Sequence, residues 1–417
     1  MKERGVGYKL GLLFCLYFSQ GLPFGFFSHA VPTLLRSYGV DLQLIGLISF
    51  VAFPWGLKFI WAPWVDRYHF SALGQRKSWI LPLQAAAILL LLGMSAIDPN
   101  QLANGNWWVL FIFLVLINLV AATQDVATDG LAVQSLQPTE RGLANGMQVG
   151  GYRVGMVFGG GLVLVLIAQL GWQSTFWLLA SMLVLVTVPV LFMREASEPL
   201  QHSARQAVPA WQTLWQFVSQ RGMWRWLLLL MLYKVGDAFG SAMGKPLLVD
   251  LGMPLDVIGW VGGGVGMGAG ILGAMLGGYW VRRLGRVRAL VAFGILQSLG
   301  VLSYAWLAGQ EAVLGWVIAV NTLEHFAGGM ATAALFTLMM DACRYEQAGT
   351  DYTVQASLQV GAVGIAHGLS GFSAAWLGYA GHFVVAGVLS LSVLLVVFIW
   401  LKQVPEAQLD AWQHCKR

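Results

Sequence analysis

Several ionisable side chains lie inside long apolar stretches of this 417-residue chain. Glu324 and His325 are adjacent in one stretch, and Lys234 and Asp237 stand three positions apart in another. A charge at the centre of a bilayer costs about 2.5–3.5 kcal/mol on insertion scales, so retained charges face a cavity or a partner. A desolvated carboxyl group can bind and release a proton near neutral pH, and an imidazole titrates close to that range. These residues indicate proton binding inside a membrane.

Each pair also has a structural interpretation. Glu324 and His325 are equally consistent with a hydrogen bond that has only a structural role. Lys234 and Asp237 are spaced to neutralise one another on a buried helix face. Asp125, nearer one end of its apolar stretch, fits either proton coupling or a charge pair at the membrane surface.

The elements that carry these residues are predicted to be membrane-spanning helices. The chain is 58% hydrophobic and only 10% charged, whereas a soluble domain has about 25% charged residues. Twelve apolar runs are each long enough to cross a bilayer as a helix. The predicted spans are residues 9–35, 42–65, 78–97, 107–131, 143–168, 172–193, 224–247, 255–281, 289–308, 313–340, 352–378 and 382–402.

The distribution of charge predicts the orientation of these spans. If the chain crosses twelve times with both ends inside, most of its 24 Lys and Arg residues fall on the inner side. This distribution follows the positive-inside rule, so we expect both termini in the cytoplasm. The excess of positive charge thus reflects orientation in a lipid bilayer, and we expect no nucleic-acid partner. The chain has no G-x-x-x-x-G-K-S/T phosphate loop, and its three cysteines lack metal-ligand spacing. We therefore expect no cofactor and no metal site.

The two halves of the chain carry the same order of residues. Leu16-Tyr17 begins the order in the first half and Leu232-Tyr233 in the second. In each half a proline, a Leu-Leu pair, a glycine and an Ile-Gly pair follow. Duplicated halves in an apolar chain are typical of transporters, which bind substrate where the repeats meet. The predicted division is a domain at 1–193, a cytoplasmic linker with an interfacial helix at 194–222, and a domain at 223–417.

Two predicted cytoplasmic loops resemble loops of the major facilitator superfamily. Asp66-Arg67-Tyr68 followed by Gly74-Gln75-Arg76-Lys77 is similar to the D-R-x and G-x-R-K/R loop of that superfamily. Residues 138–146 are similar to its P-x-x-x-R-G-x-A-x-G pattern. Within the superfamily the chain resembles AmpG-type muropeptide permeases and, more closely, RhtX/FptX-type siderophore permeases. This finer resemblance is carried by Gly21-Leu22-Pro23, Lys58-Phe59, Trp61-Ala62-Pro63, Gln124-Asp125, Asp129, Gly151-Tyr152-Arg153 and Gly155.

The resemblance implies an all-α membrane protein of twelve helices in two pseudo-symmetric six-helix bundles. Spans one, four, seven and ten line the central cavity in this superfamily. We accordingly expect proton coupling at Glu324, His325 and Asp125. The residues expected in the substrate cavity are Gln20, His29, Gln124, Tyr152, Tyr233, Lys234, Asp237 and Asn321.

The matched loops are expected to form a cytoplasmic gate. Charge pairs there would form when the inner side closes and break when it opens, as alternating access requires. The alternative is a set of solvated loop charges that only determine topology. The predicted gate residues are Asp66, Arg67, Arg76, Asp129 and Arg141.

The resulting prediction is a proton-driven secondary transporter, not an enzyme, in a bacterial inner membrane, acting as a monomer. Muropeptide permeases of this type commonly carry extra membrane segments, and this chain has none beyond twelve. That difference and the aromatic residues favour import of a ferric siderophore from periplasm to cytoplasm. The alternatives are a muropeptide permease of cell-wall recycling, or a membrane sensor or enzyme that uses the same scaffold without transport.

Overall fold

The computed structural model describes residues 5–37, 51, 53–70, 73–98, 108–193, 195, 209–311 and 313–403. Every regular element in these ranges is helical, and none is a strand. Nine helices among the described residues are long and apolar enough to cross a membrane. The chain is therefore an all-α, multi-pass membrane protein.

The helices of the first part of the chain follow the predicted apolar runs. Two are extended by five-residue π-helical segments, at Phe26–Ala30 and Phe158–Leu162. The helices are α1 (Val6–Gly25), α2 (Val31–Ser37), α3 (Phe53–Leu57), α4 (Ala62–Arg67), α5 (Lys77–Ser95), α6 (Trp108–Ser135), α7 (Arg141–Val157), α8 (Val163–Leu170) and α9 (Trp172–Leu191).

The second part of the chain begins with a short helix in the predicted linker. A seven-residue π-helical segment, Trp260–Gly266, joins two of its helices. The helices are α10 (Ala210–Val218), α11 (Met223–Tyr233), α12 (Val235–Ser241), α13 (Gly244–Asp250), α14 (Leu255–Gly259), α15 (Met267–Leu284), α16 (Arg286–Leu307), α17 (Leu314–Asp341) and α18 (Ala348–Gln403).

Three features separate the nine candidate helices from the twelve predicted spans. The predicted span 42–65 falls largely outside the described residues. Helix α17 is absent from the nine because polar residues in its middle, including Asn321 and Glu324, lower its hydropathy. Helix α18 turns at Gly378, where φ is 68°, and so contains two predicted spans. The count of twelve stays a prediction.

The chain forms two compact units that are not consecutive in sequence. The first unit consists of Met1–Leu136, Gly151–Leu214 and Tyr345–Thr353. The second unit consists of Gln137–Gly150, Trp215–Arg344 and Val354–Arg417. The division at 194–222 predicted from chain order stays a prediction.

Glycine allows α1 and the π-helical end of α7 to touch backbone to backbone in the first unit. A Cβ atom at Gly159 would lie 1.8 Å from the carbonyl oxygen of Leu22. One at Gly155 would lie 2.3 Å from the carbonyl oxygen of Phe18. Such approaches between membrane helices require small residues. The glycine-rich stretch is therefore a packing surface here.

The same device joins α15 and α17 in the second unit. A Cβ atom at Gly273 would lie 2.0 Å from the carbonyl oxygen of Phe326. One at Gly329 would lie 2.2 Å from the carbonyl oxygen of Gly270. This contact positions the polar middle of α17 close to α15.

Two of the interruptions between helices each carry a buried lysine. Lys58 begins a 3₁₀ turn, Lys58–Ile60, between α3 and α4. Lys234 lies between α11 and α12, where its φ of −99° and ψ of −3° end the first helix. Discontinuous membrane helices are a common feature of transporter substrate and ion sites.

Candidate functional site

A cluster of ionisable groups surrounds Lys58 in the first unit. The Lys58 ammonium forms an ion pair and hydrogen bond with Oδ2 of Asp125 on α6. Asp129 follows one turn later on the same helix, so the two carboxyl groups act electrostatically on each other. The Tyr17 hydroxyl of α1 donates to Asp129 Oδ1 at 2.6 Å. All four residues are buried, so one ammonium group balances two carboxyl groups away from water.

Aromatic rings lie beside Lys58. The Trp55 ring centroid is 5.6 Å from the Lys58 ammonium, and the indole N–H donates to Asn118 Oδ1 at 3.0 Å. Phe24 lies 5.9 Å from Trp55 and 5.6 Å from Tyr152, measured between ring centroids. Tyr152 is half-buried. The cation thus lies over the face of one aromatic ring, which attracts positive charge, and two further rings pack beside that ring.

A network of buried amides lies next to this cluster. The Ser19 hydroxyl accepts hydrogen bonds from Gln84 Nε2 at 2.9 Å and Gln124 Nε2 at 3.0 Å. Gln20 Nε2 donates to the Thr128 hydroxyl at 3.0 Å. Within the described residues, the side-chain oxygens of Gln20 and Gln84 are buried without a hydrogen-bond partner. The network connects α1, α5 and α6 and retains unused acceptor capacity.

The second unit has its own ionisable cluster. Lys234 Nζ lies 2.7 Å from Asp237 Oδ2 and donates to Gln297 Oε1 at 2.7 Å. On α17, His325 Nδ1 lies 2.5 Å from Glu324 Oε2. Glu324 is buried, whereas His325 is half-buried. Both predicted pairs therefore exist as contacts.

The two pairs of the second unit belong to one cluster. The Asp237 carboxylate oxygens lie 4.0 Å from where a Cβ atom of Gly328 would stand, one turn after Glu324 on α17. Glu324 and His325 are also close enough to act electrostatically on Asp237. A change in the charge of Glu324 or His325 therefore changes the electrostatic energy of the Lys234–Asp237 pair.

Asn321 and Tyr233, both predicted for the substrate cavity, bind other parts of the protein. Asn321 Nδ2 donates to the carbonyl oxygen of Val261 in the π-helical segment at 3.0 Å. The Tyr304 hydroxyl is 3.4 Å from Asn321 Oδ1. The Tyr233 hydroxyl donates to the carbonyl oxygen of Leu290 at 2.8 Å. Both side chains use their polar groups to hold helices together in this structure.

Asp66 forms a buried cluster within the first unit. Its Oδ1 accepts a hydrogen bond from Arg76 Nη1 at 2.6 Å. Its Oδ2 accepts from the backbone N–H and the hydroxyl of Thr350, at 2.7 and 2.6 Å. Thr350 lies in the first turn of α18, so the carboxylate also faces the positive end of a helix dipole. The two predicted gate residues Asp66 and Arg76 are thus in direct contact.

Glu195 fixes the loop that carries Arg76. Its Oε2 accepts from the backbone N–H of Arg76 at 3.0 Å, and its Oε1 accepts from that of Lys77 at 2.7 Å. Arg76 Nε also donates to Gln134 Oε1 at 2.9 Å. The carboxylate therefore caps the first turn of α5 and holds Arg76 in position for Asp66.

A second charge cluster is formed by Asp341 in the second unit. Arg141 Nη1 lies 2.5 Å from Asp341 Oδ1, and Arg286 Nε lies 2.9 Å from Asp341 Oδ2. Arg286 Nη2 also donates to the carbonyl oxygen of Pro138 at 2.5 Å. One acid at the end of α17 thus joins the first turns of α7 and α16.

Three other predicted residues do not make the contacts expected of them. Asp129, predicted for the gate, contacts Tyr17 and Asp125 instead of Asp66 or Arg141. Arg67 is exposed, with its guanidinium 5.4 Å from the ring centroid of Tyr68. His29 is exposed in the π-helical segment after α1.

The residues in these clusters that sequence reasoning missed include Asp341, Thr350, Gln84 and Gln297. A signal for Asp341 exists in the repeat. The second half has Arg282-Arg283 where the first has Asp66-Arg67, so an acid had to come from another helix. For the two glutamines, amides inside apolar runs were the available signal.

These features define a class of protein: paired helical units whose buried charges lie at interrupted membrane helices. The chain matches the Major Facilitator Superfamily family model over residues 13–359 and 237–414. Its fold matches a crystal structure of the Major Facilitator Superfamily transporter FucP with a TM-score of 0.70 and 16% sequence identity. The match covers 94% of this chain and 98% of that chain. The chain belongs to the Major Facilitator Superfamily.

Within the superfamily the chain is similar to a permease whose name gives its substrate, an anhydromuropeptide. It is 32% identical over 354 residues to the anhydromuropeptide permease of Escherichia coli (strain K12), which covers 84% of this chain and 71% of that protein. It is 30% identical over 405 residues to a Haemophilus influenzae protein, covering 93% of each chain. The predicted superfamily and the resemblance to muropeptide permeases are confirmed.

Proposed function

We propose that the chain is a proton-driven importer of muropeptides, moving them from periplasm to cytoplasm across a bacterial inner membrane. The proposal rests on one structural observation. Each unit buries a lysine at an interrupted helix and pairs it with a carboxylate, Lys58 with Asp125 and Lys234 with Asp237. Ionisable groups so far inside a membrane protein are expensive to keep and usually serve a transport pathway.

The proton is assigned to Glu324 and His325, with Asp125 as a further coupling residue. The 2.5 Å contact between Glu324 and His325 makes their protonation states interdependent. A proton bound there changes the electrostatic field at Asp237, and through it the Lys234 pair. Proton binding on α17 is thus linked to the charge balance at the break between α11 and α12.

Muropeptides are proposed as substrate because of the named activity of the E. coli relative. That protein is longer than this chain, but the match covers most of this chain, so the difference in length lies outside the shared part. The length therefore does not argue against a muropeptide. Amide groups at Gln20 and Gln84 with unused acceptors, and the aromatic faces around Tyr152, suit a sugar-peptide if the site opens to them.

The siderophore prediction rested on chain length and aromatic content. Neither argument is strengthened by the contacts described above. Import of a ferric siderophore stays a prediction, and it is carried into the experiment as a separate arm.

We further propose alternating access by two six-helix bundles, with twelve spans and both termini in the cytoplasm. The Asp66–Thr350 and Arg141–Asp341 contacts would act as the inner gate, since each joins chain segments that are distant in sequence. Their release would accompany opening toward the cytoplasm.

The test is uptake of a radiolabelled anhydromuropeptide into right-side-out membrane vesicles with an imposed proton gradient. We expect protein-dependent accumulation that a protonophore abolishes. Vesicles lacking the protein and vesicles with the exposed-site variant Glu311→Gln serve as controls. Uptake of a ferric siderophore panel, with no uptake of muropeptide, would overturn the substrate assignment and leave the transporter class intact.

A further inference from the structure

The cluster around Lys58 has a charge balance of its own. Lys58 contributes one positive charge, and the carboxyl groups of Asp125 and Asp129 contribute two negative charges when both are ionised. The exposed fractions are 3% for Lys58, 7% for Asp125 and 1% for Asp129. Two carboxyl groups one helical turn apart, at such burial and beside a single ammonium group, cannot both hold a negative charge, and carboxyl pairs of this kind share a proton.

We propose that Asp125 and Asp129 together bind one proton, forming a second proton site separate from Glu324 and His325. This inference rests on the proposed proton-driven function and extends it. When the proton binds, an O–H bond forms on one carboxyl group and the cluster changes from net negative to neutral. No other reactant is needed. Asp129, predicted for the cytoplasmic gate, is thereby proposed as a proton-coupling residue.

The neighbours of the pair favour Asp129 as the carboxyl that carries the proton. The Lys58 ammonium contacts Asp125 directly and so stabilises that group as the carboxylate. The Tyr17 hydroxyl donates to Asp129 Oδ1, which leaves Oδ2 to hold the proton that is donated to Asp125. This arrangement satisfies both carboxyl groups with one proton.

Two more titratable groups face the cluster. Tyr152 on α7 is close enough to interact electrostatically with Asp125. Tyr352 on α18 interacts in the same way with Tyr17. Both are tyrosines, which remain neutral over the physiological pH range in the absence of a strong positive field. They leave the charge balance of Lys58, Asp125 and Asp129 unchanged.

The two proposed proton sites belong to different units. Glu324 and His325 lie in the second unit, and Asp125 and Asp129 lie in the first. Each site contains its own lysine, so each can reach neutrality without the other. The expected consequence is that each site binds its proton when the other is disabled.

The experiment is infrared spectroscopy of the purified full-length protein in detergent during a pH titration. The signal is the C=O stretch of protonated carboxyl groups. In the wild type we expect the Asp125–Asp129 pair to contribute one carboxyl that remains protonated where exposed acids have ionised. Asp129→Asn should remove that signal, while Glu324→Gln and the exposed-site control Asp98→Asn should retain it.

A signal that persists unchanged in both Asp129→Asn and Asp125→Asn would overturn the proposal. Because asparagine has nearly the shape of the protonated aspartic acid and is likewise uncharged, Asp129→Asn is expected to fold. If it does not, Asp129→Glu, which can still share a proton with Asp125, should restore both folding and the signal.

The spectroscopic result does not depend on the cargo. If no muropeptide uptake is found but the Asp129-dependent signal is present, the proposed substrate fails and the proton site stands. In transport assays, Asp129→Asn should lower the number of protons moved per substrate by one. An unchanged ratio would contradict a transported proton at this site.

Discussion

At the scale of single residues, the buried lysines are the feature of the chain with the highest free-energy cost of burial. Lys58 is paired with Asp125 in a region where water does not screen the charge. Removing one partner of such a pair leaves an isolated buried charge, which typically costs about 3–5 kcal/mol. Removing both partners costs much less, because no charge is left uncompensated.

Lys58→Met is therefore expected to destabilise the protein by about 3–5 kcal/mol, with part of this loss recovered in Lys58→Met/Asp125→Asn. The measurement is the free energy of unfolding in detergent. Lys245→Met is the matched control, because Lys245 is exposed and its loss should matter little. An equal effect at both lysines would show that the Lys58 pair has no special role in stability.

Glu324 is predicted to bind and release the proton that drives transport. Glu324→Gln keeps the size of the side chain and removes its capacity to release a proton. We expect accumulation against a gradient to be abolished while substrate binding stays measurable. Binding is followed with labelled substrate, and accumulation in vesicles with a proton gradient. Full accumulation in this variant, compared with Glu311→Gln, would remove Glu324 from the coupling mechanism.

Local spacing explains which residue contacts were foreseeable. Lys234–Asp237 and Glu324–His325 are close in sequence, and both contacts exist. Asp125, in contrast, meets Lys58 from another helix, 67 positions away. That partner is determined by the packing of α3 and α4 on α6, which the order of residues does not reveal without a tertiary fold.

At the scale of secondary-structure elements, helix ends carry the charges that join distant parts of the chain. Asp66 lies at the C-terminal end of α4 and receives hydrogen bonds from the first turn of α18, 284 positions later. Glu195 does the same for the start of α5. Unpaired N–H groups at a helix start attract carboxylates. Each contact can be broken without disturbing the helix behind it.

Asp66→Asn should slow transport more than it weakens substrate binding. The substitution removes a charge that accepts from Arg76 and Thr350, and charge-assisted hydrogen bonds contribute about 1.5–3 kcal/mol. We expect turnover to fall about tenfold, which corresponds to about 1.4 kcal/mol. Initial uptake rates and equilibrium binding are compared with those of Asp98→Asn. Weakened binding with normal turnover at saturation would place Asp66 in the substrate site instead.

The elements themselves were partly foreseeable. Apolar runs predicted the positions of the long helices, because backbone groups in a membrane must be satisfied within a helix. The interruptions at Lys58 and Lys234 were not predicted. Pro63, in the first turn of α4, was a local signal for the break after Lys58, because proline has no backbone N–H to donate to the preceding turn. No proline lies between Met223 and Ser241, so the order of residues does not reveal the break at Lys234.

At the scale of the whole molecule, the internal repeat and the distribution of charge together predict the membrane topology. The repeated order at Leu16-Tyr17 and Leu232-Tyr233 implies two halves with equal numbers of spans. If each half has six spans, both halves begin on the same side of the membrane. The excess of Lys and Arg then places that side in the cytoplasm. The connection before α11 and the turn between α16 and α17 should lie on opposite sides.

Single cysteines at these two places test the topology in intact cells. In a background in which Cys15, Cys343 and Cys415 are replaced by alanine, Gln310→Cys should react with a membrane-impermeant maleimide added outside. Gln310 is exposed in the turn after α16, so the thiol is accessible to the reagent. Ser203→Cys should react only after permeabilisation, since the linker is predicted to be cytoplasmic. Labelling of both cysteines in intact cells would place positions 203 and 310 on the same side of the membrane, which requires an even number of spans between them instead of the predicted three. That result would contradict two six-helix halves and, with them, the predicted cytoplasmic position of both termini.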